Sequence, residues 1–445
     1  MNVAVLGAGI SGLAAGWRLQ QLGHAPTVYE ADGEPGGKIR SRRMDGYLLE
    51  LGPNAIQRSG DSLERALDAL GLAPACLDAT PAGKNRFICL DGQPEPLPMG
   101  PLALFRTRLL SGKAKWRLLR EPFVAPNPDD ESVAAFFSRR LGPEVVTRMI
   151  DPFVSGVFAG DPEQLSVSAA FPALKALERE GGSLFRGGLK AWRRKRKSAA
   201  RQPRDEPRKR GMFSFREGLQ EIPAALARAL GESLRLNTPV ANLTPAGDGW
   251  QVNGEPYEAL VSTLPVTDWS AINGGAFPAA QVDYAKMAVV HLAYPAEAVS
   301  GRTDGFGMLI PSVEQRAILG LLYSSSLFEG RAPEGQQLFT IFIGGQRHTG
   351  PLPGTDNLLR IAAGETEDLL QIAAGAGPAF SHVHIWQRAI PQYGFGHTDF
   401  IRGLEEFERG HLNWAFAGNY RQGISVAAAF ESGLAAADRL AGRLE

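Results

Sequence analysis

The first nineteen residues limit the fold of this 445-residue chain more than any other stretch of it. An apolar run at 3–6 is followed at once by Gly7, Gly9 and Gly12, and then by a helical pattern. In such an arrangement the first glycine permits a tight turn, the second lets the backbone approach a pyrophosphate, and the third lets the helix pack closely. We therefore predict a dinucleotide site at the N terminus of a helix over residues 10–21.

The stretch that follows indicates which dinucleotide binds. Residues 26–30 form a second predicted strand that ends at Glu30, whose carboxylate can accept hydrogen bonds from a ribose and would repel a 2′-phosphate. A glycine pair and two cations come next, namely Gly36, Gly37, Lys38 and Arg40. Taken alone the glycine pair is equally typical of an ordinary turn. Its position beyond the carboxylate favours the longer FAD over NAD.

Composition places the chain among ordinary globular proteins, with 44% hydrophobic and 21% charged residues. The length allows two or three domains. The two cysteines, Cys76 and Cys89, are too few for a disulfide framework, so we expect a reduced, cytoplasmic protein. We expect neither a signal peptide nor a membrane-spanning helix, because no long apolar stretch without charges occurs.

The net charge of zero conceals a strongly basic segment at residues 186–210. This segment holds twelve lysine and arginine residues against Asp205 and Glu206. A solvated loop is the simpler interpretation, and contact with anionic lipid headgroups is the alternative. We expect no nucleic-acid partner, because no aromatic platform or recognition helix accompanies the charges.

The order of predicted elements indicates an α/β fold. Strand–helix alternation at both ends predicts a Rossmann-like FAD-binding domain assembled from discontinuous segments, at 1–60, 212–284 and 408–445. Strand-rich segments predict an α+β substrate-binding domain at 61–90 and 285–407. A helical insertion at 91–211 is predicted to carry helices over 132–141, 144–153 and 166–180, followed by the basic loop.

Motifs spread over nearly the whole chain carry a family resemblance. The front motifs and the C-terminal "GNYRQGISV" are similar to the flavin-containing amine oxidase superfamily. More specific stretches resemble the protoporphyrinogen oxidase family of haem biosynthesis, among them "ELGPNAI" (50–56), "RMIDPFVSGVFAGDPEQLSVSAAFP" (148–172), "GFGMLIP" (305–311) and "LLYSSSLFEGRAP" (321–333). The resemblance implies an FAD domain, a substrate domain and a helical domain that faces a membrane.

The resemblance also implies a set of cofactor-binding residues. Val240, on a predicted strand over 234–243, would meet the adenine, and Trp386 would lie near the flavin. The start of the C-terminal helix would direct backbone N–H groups at the flavin pyrimidine oxygens. The full set is Gly7, Gly9, Ile10, Ser11, Gly12, Glu30, Gly37, Lys38, Arg40, Gly52, Pro53, Asn54, Ala55, Val240, Trp386, Gly418, Ile424, Ser425 and Val426.

A second implied set binds the substrate, a mostly apolar tetrapyrrole macrocycle with propionates on its rim. Arg86 would pair a propionate, since a guanidinium suits a carboxylate in two-point contact. Gly156 would lie against the macrocycle, and Leu309, Leu322 and Phe342 would sandwich its rings. On the residues alone, a surface arginine and ordinary core residues are the simpler interpretation of these positions.

The resemblance implies FAD-dependent oxidation of a porphyrinogen, either protoporphyrinogen IX or coproporphyrinogen III, with dioxygen as acceptor and peroxide as product. No side chain stands out as an acid, base, nucleophile or metal ligand, which fits chemistry carried by flavin N5. The expected partners are the porphyrinogen, dioxygen and an anionic membrane surface, with a homodimer also compatible. We expect a cytoplasmic protein that is peripheral on the inner face of the cell membrane.

Residues 91–130 give this membrane contact a candidate surface. Leu104, Phe105, Leu109, Leu110 and Trp116 would enter the interface, and Lys113, Lys115 and Arg117 would meet headgroups. A pair of amphipathic helices packed on the domain itself is the alternative interpretation.

Other functions remain open at the level of sequence. An amine oxidase would commonly carry a lysine where His291 stands, and Lys286 would project from the other face of that strand. A carotenoid desaturase-like enzyme shares the front motifs but not residues 151–162 or 322–328. A flavoprotein that carries or senses a tetrapyrrole without catalysis is a third alternative, which the intact Arg86 and Gly156 disfavour.

Overall fold

A computed structural model describes residues 1–58, 61–201, 211–273, 277–278, 282–348 and 350–444. Its strands are β1 (Asn2–Leu6), β2 (Ala25–Tyr29), β3 (Ser41–Met44), β4 (Tyr47–Glu50), β5 (Ile56–Gln57), β6 (Cys76–Asp78), β7 (Phe87–Leu90), β8 (Gln93–Pro96), β9 (Met212–Phe215), β10 (Leu234–Arg235), β11 (Leu243–Ala246), β12 (Gly249–Val252), β13 (Glu255–Tyr257), β14 (Ala259–Ser262), β15 (Tyr284–Pro295), β16 (Gly307–Leu309), β17 (Gly320–Leu322), β18 (Gln336–Gly344), β19 (Phe380–Pro391) and β20 (Trp414–Phe416). Its helices are α1 (Ile10–Gln21), α2 (Asp61–Ala69), α3 (Pro101–Arg106), α4 (Gly112–Leu118), α5 (Val133–Leu141), α6 (Pro143–Val145), α7 (Asp151–Phe158), α8 (Val167–Ala170), α9 (Pro172–Gly181), α10 (Leu184–Arg201), α11 (Glu221–Leu230), α12 (Ser324–Leu327), α13 (Thr355–Leu369), α14 (His397–Gly410) and α15 (Val426–Leu444).

The chain forms two compact units, each made of separated segments. The first unit comprises Met1–Ala79, Arg210–Asp283 and Asp399–Glu445, and the second comprises Thr80–Lys209 and Tyr284–Thr398. Residues 61–79, which the sequence assigned to the substrate domain, lie in the first unit because Leu63, Ala66 and Leu67 are buried in its core. The division into domains by function remains a prediction.

A parallel five-stranded sheet forms the centre of the first unit, in the order β10-β2-β1-β14-β20. Helices α1, α11 and α15 contribute to the core on this sheet. Helices α1 and α15 lie very close together, since a Cβ added at Gly433 would stand 2.1 Å from the Ser11 carbonyl oxygen. The Ser11 hydroxyl donates to the Ala429 carbonyl at 2.7 Å in the same contact. A Rossmann-like sheet assembled from discontinuous segments, as predicted, is therefore present.

A seven-stranded sheet dominates the second unit, in the order β19-β15-β18-β17-β16-β7-β8. One face packs against α13, where Met308, Leu321 and Ile341 meet Leu358 and Ala362. The opposite face carries different residues, because successive side chains of a strand point to opposite faces. We call this opposite face the slot face, defined by Leu309, Gly320, Leu322, Thr340 and Phe342.

The helices between β8 and β9 surround a buried ion-pair network. The Arg140 side chain is fully buried, 2.5 Å from Glu178 and 3.2 Å from Glu121. Glu121 in turn accepts the Leu184 N–H at 2.7 Å and so fixes the start of α10. This network is part of the second unit, and no helix among the described residues is long and apolar enough to cross a membrane.

Several predicted elements differ from the structure. The single helix expected over 166–180 is divided into α8 and α9, because Pro172 lacks an N–H and forces Phe171 out of helical geometry, to φ −133° and ψ 54°. The helix expected over 144–153 continues to Phe158 through a π-helical segment, Val146–Ile150. The strand expected over 234–243 extends only over Leu234–Arg235.

Two expectations about the basic and apolar helical segments were also wrong. Residues 186–201 of the expected loop are helical and belong to α10, while 202–210 lie outside the described residues. Leu109 and Leu110, expected to enter a membrane interface, are 2% and 3% exposed. They pack with Ile88 and Leu118 in a core, so the segment between α3 and α4 packs on the domain itself at these two positions.

Candidate functional site

The glycine loop, residues 7–12, connects β1 to α1 in the first unit. Gly7 has φ +94°, which a side chain rarely allows, and a Cβ at Gly12 would lie 1.8 Å from the Gly7 carbonyl oxygen. A Cβ at Gly9, by contrast, would meet no atom of the chain within 4 Å. Gly7 and Gly12 therefore serve the turn and the packing, whereas Gly9 borders open space at the helix N terminus, where a pyrophosphate fits.

Glu30 lies directly after β2, and its carboxylate already has two backbone donors. Oε2 accepts the Ala8 N–H at 2.8 Å and Oε1 accepts the Asp32 N–H at 3.0 Å. A carboxylate oxygen can accept more than one hydrogen bond, so a ribose hydroxyl can still bind. Glu30 thus stabilises the glycine loop in the position where its predicted ribose contact would be made.

The second glycine pair closes on the first. The Gly36 N–H donates to the Ala8 carbonyl at 2.8 Å, and a Cβ at Gly37 would be 3.2 Å from the Gly9 Cα atom. Arg40 donates from Nε to the Gly37 carbonyl at 3.1 Å and forms an ion pair with Asp32. Arg40 therefore stabilises the loop itself, and its direct contact with FAD remains a prediction.

The motif at 50–56 holds the backbone of this region. A Cβ at Gly52 would be 1.9 Å from the Lys38 carbonyl oxygen, and the Asn54 side chain donates to the Gly52 carbonyl at 3.1 Å. Pro53 and Ala55 are half-buried beside them. Gly52, Pro53, Asn54 and Ala55 thus lie next to Lys38, and their contacts with FAD remain a prediction.

Val240 lies outside any strand, which corrects the expectation that it lies on one. The preceding backbone is nevertheless fixed next to Glu30, because the Thr238 N–H donates to the Glu30 carbonyl at 2.7 Å. Val240 is half-exposed two residues later. Its predicted contact with an adenine is compatible with this position.

The turn between β20 and α15 provides the last group of predicted cofactor residues. Gly418 has φ +147°, and its N–H donates to the Ser432 hydroxyl at 3.1 Å. Ser425 caps α15, with its hydroxyl accepting the Ala428 N–H at 3.1 Å, between the half-exposed Ile424 and Val426. All predicted cofactor residues except Trp386 belong to the first unit.

A cluster that sequence reasoning missed supports this turn. The buried Glu408 carboxylate accepts the Phe416 N–H at 2.8 Å and binds Arg421 at 2.6 Å, with Arg439 and Arg443 also in contact. Burial raises the pKa of Glu408, but the neighbouring guanidiniums, Arg421 foremost, lower it by more than burial raises it. The pKa of Glu408 therefore lies below its usual value. Only folding brings these residues together, so no local motif reveals them.

The slot face brings together the predicted substrate residues of three strands. Leu309 pairs with Gly320, Gly320 pairs with Phe342, and Leu322 pairs with Thr340, so all share one face. Gly320 contributes no side chain between Leu309 and Phe342, and the Leu309 Cδ2 atom lies 3.6 Å from the position that a Cβ of Gly320 would take. Leu309, Leu322 and Phe342 remain half-exposed although they belong to a central sheet. Such an apolar surface suits a flat, apolar ligand.

Helix α7 covers part of the slot face. A Cβ at Gly156 would lie 2.4 Å from the Leu309 Cδ2 atom, so the helix backbone approaches the sheet closely at this point. Phe153 and Val157, one turn apart on α7, are 40% and 41% exposed. The contact between α7 and the sheet is therefore apolar, and its closeness depends on the glycine. We call the region where α7 meets the slot face the slot.

Arg86 and Trp386 border the same face. Arg86 immediately precedes β7, two residues before Ile88, which pairs with Leu309. Residues two apart along a strand point to the same face, so the exposed side chain of Arg86 lies on the side of the slot face. Its guanidinium lies 5.5 Å from the Phe306 ring centroid. Trp386 pairs with Met287, two residues before the slot-face position Val289. His291 is fully buried on this face, whereas Lys286 is exposed.

Comparison with known proteins identifies the family. The model of the family "Flavin containing amine oxidoreductase" matches residues 10–441. The chain belongs to this family. Membership makes it a flavoprotein with FAD as its cofactor, and the glycine loop with its open side at Gly9 fits that group.

Curated relatives narrow the resemblance. The mitochondrial protoporphyrinogen oxidase of Nicotiana tabacum is 34% identical over 100% of this chain and 95% of its own length. The protoporphyrinogen oxidase of Bos taurus is 33% identical over 99% of this chain and 98% of its own. The family resemblance seen in the sequence is thereby confirmed over the full chain.

Solved structures confirm the mixed α/β fold. A protein of Exiguobacterium sp. 255-15, provisionally described as a protoporphyrinogen oxidase, has a TM-score of 0.80 at 20% identity over 100% of this chain and 98% of its own. Cyclohexylamine oxidase from Brevibacterium oxydans has a TM-score of 0.69 at 17% identity over 100% of this chain and 99% of its own. At these identities the likeness concerns the fold alone.

Proposed function

We propose that this chain catalyses the FAD-dependent oxidation of a porphyrinogen to the porphyrin in tetrapyrrole biosynthesis, with dioxygen as electron acceptor and peroxide as product. The substrate is protoporphyrinogen IX or coproporphyrinogen III. The observation that carries the proposal is the 34% identity to a protoporphyrinogen oxidase over 100% of the chain. The slot face adds physical support, since the half-exposed Leu309, Leu322 and Phe342 give it an apolar surface that suits a macrocycle.

When bound, FAD supplies the hydride-accepting chemistry. The chain's own residues bind and orient the macrocycle. Leu309, Leu322 and Phe342 offer half-exposed apolar surface to the rings, and Gly156, which has no side chain, lies beside them where α7 approaches Leu309 most closely. Arg86, exposed at the border of the slot face, would pair with a propionate at the rim of the macrocycle. The guanidinium thereby fixes which edge of the macrocycle enters first.

The test uses the purified, FAD-loaded protein with each porphyrinogen in air. We expect porphyrin fluorescence to rise with at least one substrate, together with peroxide release. An anaerobic sample should stop after the bound flavin is reduced and should resume when air is admitted. A flavin-loaded sample that oxidises neither porphyrinogen would overturn the proposal.

Arg86→Ala tests the propionate contact. Loss of a hydrogen-bonded charge pair costs about 1.5–3 kcal/mol, so kcat/KM should fall by roughly ten- to a hundredfold while FAD content stays constant. Arg86→Lys should recover part of the loss, because the charge remains and the two-point geometry does not. Equal loss of FAD and activity would contradict the assignment of Arg86 to substrate binding.

We also propose that the helices of the second unit contact an anionic membrane, on the inner face of the cell membrane. Trp116, Leu119 and Phe123 are 74%, 49% and 81% exposed around the end of α4. Arg186 of α10 lies 5.8 Å from the Phe123 ring centroid, and Phe185, Leu189 and Trp192 of α10 are about half-exposed at helical spacing. Large exposed aromatics beside cations favour an interfacial position.

Vesicle sedimentation tests this contact. Binding to vesicles with anionic lipid should exceed binding to neutral vesicles and weaken with salt. Trp116→Glu combined with Trp192→Glu should abolish it. Leu412→Glu, at a 54% exposed apolar position of the first unit, is the matched control. Equal vesicle binding by the double variant and the control would contradict the proposal.

A further inference from the structure

The buried Asp151 is a charged residue of the second unit to which no substrate or cofactor contact is assigned. It begins α7 and is 6% exposed. Its Oδ2 atom accepts the Ser312 N–H at 2.8 Å, and its Oδ1 atom lies 2.5 Å from Nη2 of Arg347. Arg347 donates from Nη1 to the Ile310 carbonyl at 3.2 Å. One carboxylate therefore connects three segments that are distant in the sequence.

Each of these three segments carries a residue of the slot. Asp151 stands five residues before Gly156 on the same helix. Ser312 follows Leu309 after β16, and Arg347 follows Phe342 after β18. The ion pair between Asp151 and Arg347 thus connects α7 with the segments that follow β16 and β18, and all three elements carry residues of the slot.

The other end of α7 is held by separate hydrogen bonds. Ala159, in left-handed geometry with φ 49°, accepts the Gln346 N–H at 2.8 Å, and the Gln392 side chain donates to the Phe158 carbonyl at 2.8 Å. A π-helical turn, Val146–Ile150, ends directly before Asp151. Such a turn rotates the following residues about the helix axis and is frequent next to functional sites. Helix α7 is therefore fixed at both ends with Gly156 between them.

We propose that Asp151 is a positioning residue that sets the distance between α7 and the slot face, and so determines how well the macrocycle binds. The inference rests on the proposed function, because it concerns the substrate of the same slot. Oδ2 accepts a backbone hydrogen bond and Oδ1 forms an ion pair with Arg347, so Asp151 acts by holding Gly156 against Leu309. Its loss allows α7 to shift at its N-terminal end, which alters the slot without touching FAD-binding residues of the first unit.

The test compares Asp151→Asn with Glu365→Gln. Glu365 is a close match, since it accepts the Ala317 N–H at 2.8 Å and binds Arg316 at 2.9 Å in the same unit, away from the slot face. We expect Asp151→Asn to raise the porphyrinogen KM about tenfold with kcat changed less than about threefold, as loss of a charged hydrogen bond predicts. FAD content should match wild type. Glu365→Gln should leave KM unchanged while lowering Tm by a similar amount.

Arg347→Gln extends the test from the other partner. It should raise KM like Asp151→Asn, and the double variant should be no worse than either single variant, since all three break one contact. Arg347→Lys should raise KM less than Arg347→Gln does, because the charge remains. The two Arg347 variants replace Asp151→Asn in the test if that variant does not fold. A direct readout is the Kd of porphyrin product, measured by fluorescence, which should rise with KM.

The outcomes separate the two proposals. If wild-type protein oxidises no porphyrinogen, the proposed function fails. If wild type is active and Asp151→Asn has the wild-type KM and porphyrin Kd, the positioning role fails. Additive effects of Asp151→Asn and Arg347→Gln, or an equal KM rise in Glu365→Gln, would also overturn it.

Discussion

The glycine loop of the first unit and the slot face of the second both depend on glycines, but they are built differently. Gly7, Gly9 and Gly12 lie in one turn, and their spacing along the chain is their spacing in the structure. Gly156 and Gly320 belong to a helix and a strand that only the fold brings together. A site made by local backbone geometry can be read from sequence, whereas a site made by strand register cannot.

The buried charged clusters of the two units give the largest expected effect on the difference between the units. Glu408 of the first unit and Glu178 of the second are both about 1% exposed, and each binds two or more cations. Glu408→Gln and Glu178→Gln should each cost about 3 kcal/mol of unfolding free energy, because buried guanidiniums lose their partner. Only Glu408→Gln should release flavin, since Glu408 fixes the turn before α15. Equal flavin loss in both variants would show that the units do not differ in this way.

The same clusters predict a pH dependence with a definite sign. The pKa of both carboxyls lies below the ordinary value of 4.5, since the surrounding cations outweigh the effect of burial. Their contribution to stability is therefore complete above pH 4.5 and is lost as pH falls through the lower pKa of the folded state. Thermal unfolding from neutral pH downward should show this loss in wild type and a smaller loss in either glutamine variant.

Gly12 and Gly9 separate packing from binding within the glycine loop. Gly12→Val should destabilise the fold by about 1–3 kcal/mol and eliminate FAD, because its Cβ has no room. Gly9→Ala should leave the Tm of the flavin-free protein unchanged and still weaken FAD binding, because its Cβ enters only the open side of the loop. Flavin absorbance after gel filtration and Tm check both results. Full FAD retention by Gly9→Ala would contradict a pyrophosphate at this position.

Gly156 is the corresponding position of the slot. Gly156→Ala places a methyl group against Leu309, and the flexible leucine side chain must move into the slot. We expect KM to rise roughly tenfold with FAD retained, in line with about 1–2 kcal/mol of overpacking. Gly188→Ala, on α10, meets nothing within 4 Å and should behave like wild type. An unchanged KM in Gly156→Ala would place the macrocycle elsewhere.

Two helix caps give the smallest expected effect. Ser425 accepts the Ala428 N–H at 3.1 Å, and Ser132 accepts the Ala135 N–H at 3.0 Å. Alanine at either position should cost about 1 kcal/mol of stability. Only Ser425→Ala should alter the flavin absorbance spectrum, because that cap begins the helix predicted to face the flavin. A spectrum changed equally by Ser132→Ala would remove this distinction.

The sequence predicted those parts in which neighbouring residues act together. The strand–helix–strand unit with Glu30, the helix predicted over 132–141, the C-terminal helix and the family resemblance are confirmed. The single helix predicted over 166–180 was wrong, because Pro172 cannot continue a helix and instead begins a second one. The prediction that Leu109 and Leu110 enter a membrane interface was wrong, because the sequence pattern of apolar residues does not distinguish a membrane-facing surface from a core.

By itself the sequence determined the nucleotide-binding turn, since backbone conformation at three glycines follows from the absence of their side chains within one short segment. The tertiary structure alone decided the shape of the slot. Gly320 between Leu309 and Phe342, the closeness of α7 and the convergence of Asp151 with Arg347 depend on pairing between segments far apart in the chain. Such pairing is fixed by the whole core, which no single motif encodes.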